Sequence, residues 1–553
     1  MVKKRGQAAL EFLTTYGWAF IVILTMISAL SYFGVLSPSN FVGDRCVLGS
    51  PFVCDTNQFV VGEEGLRMAI RASSDENIIV SNMQYEIDGE WQDCAFFPQT
   101  TISQSAVITC EFNENLNTQS ANVKVRFNYR PARADETFTR TAQGNINSRV
   151  ETQIPLYDFQ PITECGSIDQ PGYYMLQNNL STSQTCIQIT ASDVLVDGAN
   201  HLIEYGSDSS GFGIRAQNQE NVVIRNVQVQ ELSTSGSFKH AIYFQNTPNS
   251  YAFNNVATTI SSNSAAIIFF GGSHNGVVSG NEAYGLGSNG HALHAVNSNN
   301  MLFEDNFAQV DGDWATGIYP GSNSRSIIRG NTVHTNSMTY AIYLWDHTQS
   351  LVEDNEVITN EYFGMGIGVD SNEHIVRNNR VYTQDDLGYG IQLDLNAANN
   401  IIENNYVETH GDSWGLGILL QGDANNNVIR RNIVNITGSG SAALYVYEGA
   451  HTNAFYENIL TSESYHISLW TDAGLGNHFF DNELLGQGLY VGNGVSALFE
   501  RNYYLGIESL DVIDSSSDGF GDSGADYPLN EVNWPSKWEG VGEDASPRMN
   551  PLN

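Results

Sequence analysis

The chain has 553 residues, with 61 acidic against 24 basic side chains and a formal net charge of −37. That balance excludes the basic footprint of an ordinary nucleic-acid binder. Only five of the basic residues are lysines, Lys3, Lys4, Lys124, Lys239 and Lys537, and such acidic, lysine-poor surfaces suit salty surroundings.

The amino terminus is basic through Gly6, continues as Gln7-Ala8-Ala9-Leu10-Glu11, and then carries an uncharged stretch from Phe12 to Leu36, long enough to span a bilayer. A secretory signal places its cleavage site after the apolar run, whereas here a glycine precedes the run and one glutamate opens it. This arrangement resembles an archaeal class III signal peptide, the type IV pilin-like kind, with Ala9 and Thr15 departing from the usual Ser and Leu. The resemblance implies a leader over 1–6, a prepilin peptidase cutting between Gly6 and Gln7, and a pilin-type hydrophobic helix over 7–37. That helix would sit in the membrane or pack with other pilin subunits. Glu11 would neutralise the new terminal amine of a neighbour, because a carboxylate in an apolar helix is costly without a partner. The alternative is a plain membrane anchor with Glu11 at the interface.

Residues 40–150 alternate as half-buried strands do, for example Leu66, Met68 and Ile70, or Val123, Val125 and Phe127. Four to seven such strands make a small β-sandwich, which resembles the head domain of archaeal pilins, and a proline-bearing linker follows. Six cysteines, Cys46, Cys54, Cys94, Cys110, Cys165 and Cys186, form three sequence-near pairs ahead of the repeats. Six cysteines permit fifteen connectivities. Pairing within each near pair in an oxidising compartment, at the cell surface or outside the cell, is the expectation.

Asparagines then recur every 20 to 29 residues, at Asn226, Asn255, Asn281, Asn306, Asn331, Asn355, Asn379, Asn405, Asn432, Asn458, Asn482 and Asn502. Short alternating strands separated by Gly, Asn and Asp turns surround them, with no helical spacing. A strand-built period of this length is a solenoid, and the fold class is mainly β: a parallel β-helix of about 12–13 coils over 160–505. Coils would stack about 4.8 Å apart with the asparagines as a ladder. Each asparagine is expected to supply the left-handed backbone of a corner. Ile162-Thr163-Glu164-Cys165-Gly166, Pro171-Gly172-Tyr173-Tyr174 and Val194-Leu195-Val196-Asp197-Gly198 resemble the first coil of NosD-like members of the parallel β-helix repeat superfamily, which implies a right-handed parallel β-helix. That superfamily includes lyases, hydrolases, epimerases and surface proteins, so the resemblance bears on fold more than on activity.

Aligning the coils on their Ile-x-Leu phrases places Tyr243, Phe269, His294, Tyr319, Tyr343 and Gln392 in one outward column, and Trp345, Asp370, Asp394, Tyr447 and Trp470 in the next. Rings at coil spacing can stack on sugars while carboxylates and amides take hydroxyls, so a polysaccharide or cell-surface glycan is the expected partner. The functional expectation is adhesion to or recognition of polysaccharide. A surface-anchored lyase or glycoside hydrolase using Asp370 and Asp394 as catalytic pair is the alternative, with Arg377 or Arg380 standing in for a lysine base. A purely structural minor pilin is a third. Residues 506–553 contain Asp514, Ser516, Asp518 and Asp522 around Gly519, spaced like a Ca2+ loop, and a tail with Trp534 and Trp538 that is expected to cover the last coil.

Overall fold

In the computed structural model the described residues are 20–28 and 44–551, apart from positions 74–76, 88, 95–96, 98–99, 103–104, 135–137, 153, 155, 323, 412, 487 and 494. Gly6, Gln7 and Glu11 therefore lie outside the described residues, as does Asp412. Residues 20–28 are helical and exposed, and no helix among the described residues is long and apolar enough to cross a membrane. The chain divides into two compact units, Met1–Asp158 and Phe159–Asn553.

The first unit contains nine linked strands among its described residues. Ile78–Ile87, Ser120–Pro131 and Arg140–Glu151 pair antiparallel on one side of the core. Phe52–Gly62, Gly65–Ala72 and Ser105–Glu111 do so on the other. Alternation drives the arrangement, since Leu66, Met68 and Ile70 meet Val123, Val125 and Phe127 in one buried cluster. Disulfides Cys46–Cys54 and Cys94–Cys110 tie one layer to the other, so the sequence-near pairing holds.

The second unit is a stack of parallel strands in three long sheets. One coil contributes Tyr251–Phe253 to sheet 1, Val256–Thr259 to sheet 2 and Ala265–Phe270 to sheet 3. Each pairs in parallel with its counterpart in the next coil. The sheets hold 15, 14 and 15 strands. The extra rungs lie at the ends, where Gln160–Ile162 and Gly166–Ile168 precede the first asparagine and Trp538–Gly540 comes from the tail. The third disulfide, Cys165–Cys186, joins the first rungs.

The interior is built from columns of like residues. Sheet 1 sends in Val352, Val376, Ile402, Ile429, Phe455, Phe479 and Phe499, all buried, and the last three rings stack 4.4 and 5.1 Å apart before meeting Trp538 at 5.3 Å. Where sheet 3 crosses closest to sheet 2, the inward column is glycine or alanine from Gly213 to Ala443. A Cβ on Gly317, Gly366, Gly390 or Gly417 would come within 2.2–2.3 Å of a valine methyl on Val333, Val381, Val407 or Val434.

Eleven of the twelve asparagines form a buried ladder. From Asn255 to Asn482, each Nδ2 donates to the Oδ1 of the next coil's asparagine at 2.9–3.0 Å. The same Oδ1 accepts the backbone N–H of the preceding asparagine, as between Asn331 and Asn355 at 3.0 Å. The second Nδ2 hydrogen goes to a sheet 1 carbonyl, for Asn355 that of Ile328. Every polar atom of the amide is thus satisfied inside an apolar wall. The ladder ends on Asp544, whose Oδ2 accepts from both the backbone and the side chain of Asn502.

Two expectations about these residues are corrected. The left-handed corner belongs to the residue before each ladder asparagine, such as Asp354 (φ 56), Asn378 (φ 56) and Arg431 (φ 56), since the amide must point inward from ordinary backbone to reach its neighbours. Asn226 is itself one of those corner residues (φ 52). Val227 holds the ladder place in its coil and donates its N–H to Asn255 Oδ1.

Replacing Asn355 with alanine strips Asn331 of the acceptor for both its N–H groups in a site that water does not reach. The expected loss is on the order of 3–5 kcal/mol, read as an earlier chemical-denaturation midpoint for the solenoid. Asn226→Gly, at a corner rather than in the ladder, should cost less than about 1 kcal/mol.

Candidate functional site

The outer face of sheet 3 carries three columns of side chains, the middle one half-buried to buried along its length, and the strand register fixes their membership. The middle column runs Arg215, Tyr243, Ile268, His294, Tyr319, Tyr343, Gly368, Gln392, Leu419, Tyr445, Ser468 and Tyr490. Phe269 does not belong to it. Its strand, Ala265–Phe270, is apolar throughout, so alternation could not settle which residue faces out. The interior takes Phe269, which stacks on Phe244 at 4.3 Å, and Ile268 and Phe270 face outward in its place.

The rings of the middle column form a stack. His294 lies parallel to Tyr319 at 4.9 Å, Tyr319 to Tyr343 at 5.6 Å, and Tyr343 to Tyr340 of the flanking column at 4.3 Å. Further along, Trp414, Tyr445, Tyr447, Trp470 and Tyr490 make a second aromatic patch with centroids 6.0–6.5 Å apart. Trp345 and Trp470 are exposed on the other flanking column. Tyr340, Tyr389 and Trp414 were missed in the sequence because they precede the Ile-x-Leu phrase on which the coils were aligned.

Between the two aromatic stretches sits a polar row. Tyr343 donates its hydroxyl to Asp370 Oδ2 at 2.5 Å. Tyr340 donates to Gln392 Oε1 at 2.8 Å, and the amides of Gln392 and Gln421 donate to Asp394 Oδ2 at 3.2 and 2.7 Å. Asp370 Oδ1 is buried and has no hydrogen-bond partner among the described residues. Burial pushes the Asp370 carboxyl up to about 6; the Tyr343 hydroxyl opposes that rise and the Asp394 charge adds to it. Asp370 is therefore a carboxyl that titrates near neutrality with one oxygen unengaged, whereas Asp394 is held by two amides.

The two arginines expected as possible bases, together with the lysine and the nearby histidines, lie elsewhere. Arg377 is on sheet 1, paired with Glu353 at 2.7 Å, and Arg380 is on sheet 2, so neither can serve as a base beside Asp370. Lys239 is fully buried against Glu231 at 2.8 Å and donates to three carbonyls. His347 and His374 are buried in the wall, where His374 continues a second polar ladder into Asn400. Among the described members of the three outward columns from Phe212 to Tyr490, Arg215 is the only lysine or arginine.

In the Asp514–Asp522 loop the carboxylates accept from the loop itself. Asp514 takes the N–H groups of Asp518 and Gly519. Asp522 takes those of Ser515 and Ser516, and these bonds with the Ser515 hydroxyl hold its carboxyl down at about 2. Ser516 donates its hydroxyl to Asp514. Among the described residues no group of three or more His, Cys, Asp or Glu is placed to hold a metal.

The family model described as "Right handed beta helix region" matches residues 242–405 and 316–503, and the solenoid is a right-handed parallel β-helix. No curated protein matches the chain. Among solved structures, a double mutant of the periplasmic alginate epimerase AlgG is 14% identical over 61% of this chain and 79% of its own, with a TM-score of 0.37. DFA-IIIase from Arthrobacter chlorophenolicus A6 is 13% identical over 54% and 82%, with a TM-score of 0.34. The A-module of the Azotobacter vinelandii mannuronan C-5 epimerase AlgE4 is 12% identical over 60% and 90%, with a TM-score of 0.35. All three are too distant for their activities to be read onto this chain.

The Asp370 carboxyl gives the fold a pH signature. Its folded value is raised, so between about pH 4 and pH 6 the native protein keeps a proton that the unfolded chain has released, and stability falls as pH rises through that window. The cost, on the order of 2–3 kcal/mol when fully developed above the window, should vanish in Asp370→Asn. The half-buried His240 and the buried His347, both held down at about 3 by desolvation, act with the opposite sign. The difference between wild-type and Asp370→Asn melting temperatures across pH 4–8 isolates the carboxyl.

Proposed function

We propose that the β-helix binds an extended, uncharged polysaccharide along the outer face of sheet 3, and that the protein works in adhesion to or recognition of such a polymer at the cell surface. The supporting observation is the continuity of the His294–Tyr319–Tyr343 ring stack with the Asp370–Gln392–Asp394–Gln421 polar row on a single flat face. Strands about 4.8 Å apart advance at nearly the pace of hexoses in an extended chain, so one ring or one polar group per coil meets one sugar. Rings supply the apolar platform and the carboxylates and amides accept or donate to hydroxyls. Two aspartates against a single arginine on this face disfavour an acidic polymer. The class III leader and pilin-type helix would carry the β-helix outward, and the three disulfides suit that location. If Gly6 is the processing signal, the mature protein begins at Gln7, and amino-terminal sequencing settles that part.

A second reading, turnover of the bound glycan, is favoured by Asp370 alone, whose carboxyl near 6 and unengaged oxygen suit proton transfer at neutral pH. One experiment separates the two. On a panel of neutral oligosaccharides, Tyr319→Ala and Tyr343→Ala should each weaken binding about tenfold, in line with a lost stacking contact of about 1.4 kcal/mol. Release of new reducing ends or unsaturated products, abolished in Asp370→Asn and Asp394→Asn, would make the protein an enzyme. Absence of any binding would leave the structural filament role.

A further inference from the structure

At the amino-terminal end of the same face, adjoining the ring stack at His294, lies a cavity of about 370 Å³, within the size range of small-ligand sites. Its walls combine two chemistries. Phe212, Phe238, Ile268, Phe270 and Val296 form an apolar floor and rim. Three imidazoles, His240, His291 and His294, also line it.

The protonation of two imidazoles is set by the backbone. His240 Nδ1 accepts the N–H of Ala265 at 2.9 Å, and His291 Nδ1 accepts that of Thr316 at 3.1 Å. Each ring must therefore carry its proton on Nε2. The three rings are half-buried in the cavity wall, and desolvation there favours their neutral form, holding His240 down at about 3 and His291 at about 4 and lowering His294 as well. His294 Nε2 is buried without a partner among the described residues.

The rim is made of stacked corner residues in left-handed backbone. Phe238 (φ 58), Asn263 (φ 54) and Asn289 (φ 52) follow one another coil by coil along it, and Trp314 (φ 60) continues the same column in the next coil, outside the cavity lining. Bulky side chains pay strain for that conformation, and Phe238 and Trp314 remain more than 60% exposed. The two positions between the aromatic pair are amides, and Asn289 and Asn263 open onto the cavity.

These features exclude most ligands of the strip. Uncharged imidazoles offer a carboxylate or phosphate no compensating charge for desolvation. Among the described residues no three His, Cys, Asp or Glu side chains are placed to hold a metal ion, these imidazoles included. A plain pyranose has no methyl for the Ile268, Phe270 and Val296 wall and would set hydroxyls against it, away from the imidazoles and rim amides that could partner them. A group with a methyl at one end, a hydrogen-bond acceptor beside it and a donor behind satisfies every wall.

From this we infer that the cavity is a subsite for the acetamido group of an N-acetylated hexosamine in the bound glycan. The methyl packs among Ile268, Phe270 and Val296, the carbonyl oxygen accepts from an imidazole Nε2–H, and the amide N–H donates to a rim asparagine. This assignment rests on the glycan-binding reading of the face and specifies one sugar class for it.

The test uses the full disulfide-bonded chain and two probes of equal length, N,N′,N″-triacetylchitotriose and cellotriose, which differ at the acetamido position. Calorimetry should show the acetylated trisaccharide binding at least tenfold more tightly, and saturation-transfer NMR should show its strongest effect on the acetyl methyl protons. In Phe270→Ala, and separately in His291→Phe, the affinity ratio of the two probes should fall toward one. Circular dichroism melting of each variant checks that the solenoid is intact. Equal affinity of the two probes in wild type, or a ratio unmoved by both folded variants, would overturn the acetamido assignment while leaving the strip intact, provided that Tyr319→Ala weakens both. Failure of both probes and of every other neutral glycan to bind would overturn the strip reading as well.

Discussion

The hydrogen bond that each buried asparagine side chain donates to the next one along the solenoid is the interaction on which the other features depend. Evenly spaced parallel ladders do not by themselves fix the register, because a shift of two residues remakes the hydrogen bonds and keeps every side chain on its own face. A buried primary amide does not tolerate it. It has two donors and an acceptor that must all be satisfied inside the wall, and the geometry from Asn255 to Asn502 satisfies them in only one register. Capping by Asp544 closes the chain of donors at the one end where no further asparagine follows.

A fixed register is what makes columns, and columns are what make the outer face usable. Because Tyr319 is held one coil from Tyr343 and Trp345 one coil from Asp370, side chains distant in sequence become a repeating surface. The packing beneath is as strict, since sheet 3 rests on glycines and alanines that admit no larger residue over the valines of sheet 2. A face so supported presents its rings with little freedom to lose on binding. The buried Asp370 carboxyl is the costly element in this surface, and a stored cost of that kind marks functional positions more often than structural ones.

Much of this was legible in the residues. The asparagine spacing gave the solenoid and its period, the strand alternation gave the layered head, and proximity in sequence gave all three disulfides. The misreadings have physical causes. The corner residue and the ladder residue are adjacent and both are often asparagine, as at Asn378 and Asn379, so the first repeat was placed on Asn226 one step out of register. In Ala265–Phe270 no polar residue marks the outside, so Phe269 was placed on the surface it turns away from. The histidine-lined cavity was hidden because His240 and His291 precede the aligned phrase, and only the three-dimensional stacking of corners brings Phe238, Asn263 and Asn289 over them. Arg377, Arg380 and His374 lie close to Asp370 in sequence, yet the coil carries them onto other sheets or into the wall.

The central claim, that one flat face of the β-helix reads an extended uncharged chain coil by coil, is tested most directly by the dependence of affinity on ligand length. Titration of the full chain with a homologous series of neutral β-linked oligosaccharides should give affinity that climbs with each added sugar until the ring stack and polar row are spanned, and then levels. Affinity that is the same for a disaccharide and a hexasaccharide would contradict a coil-by-coil binding face.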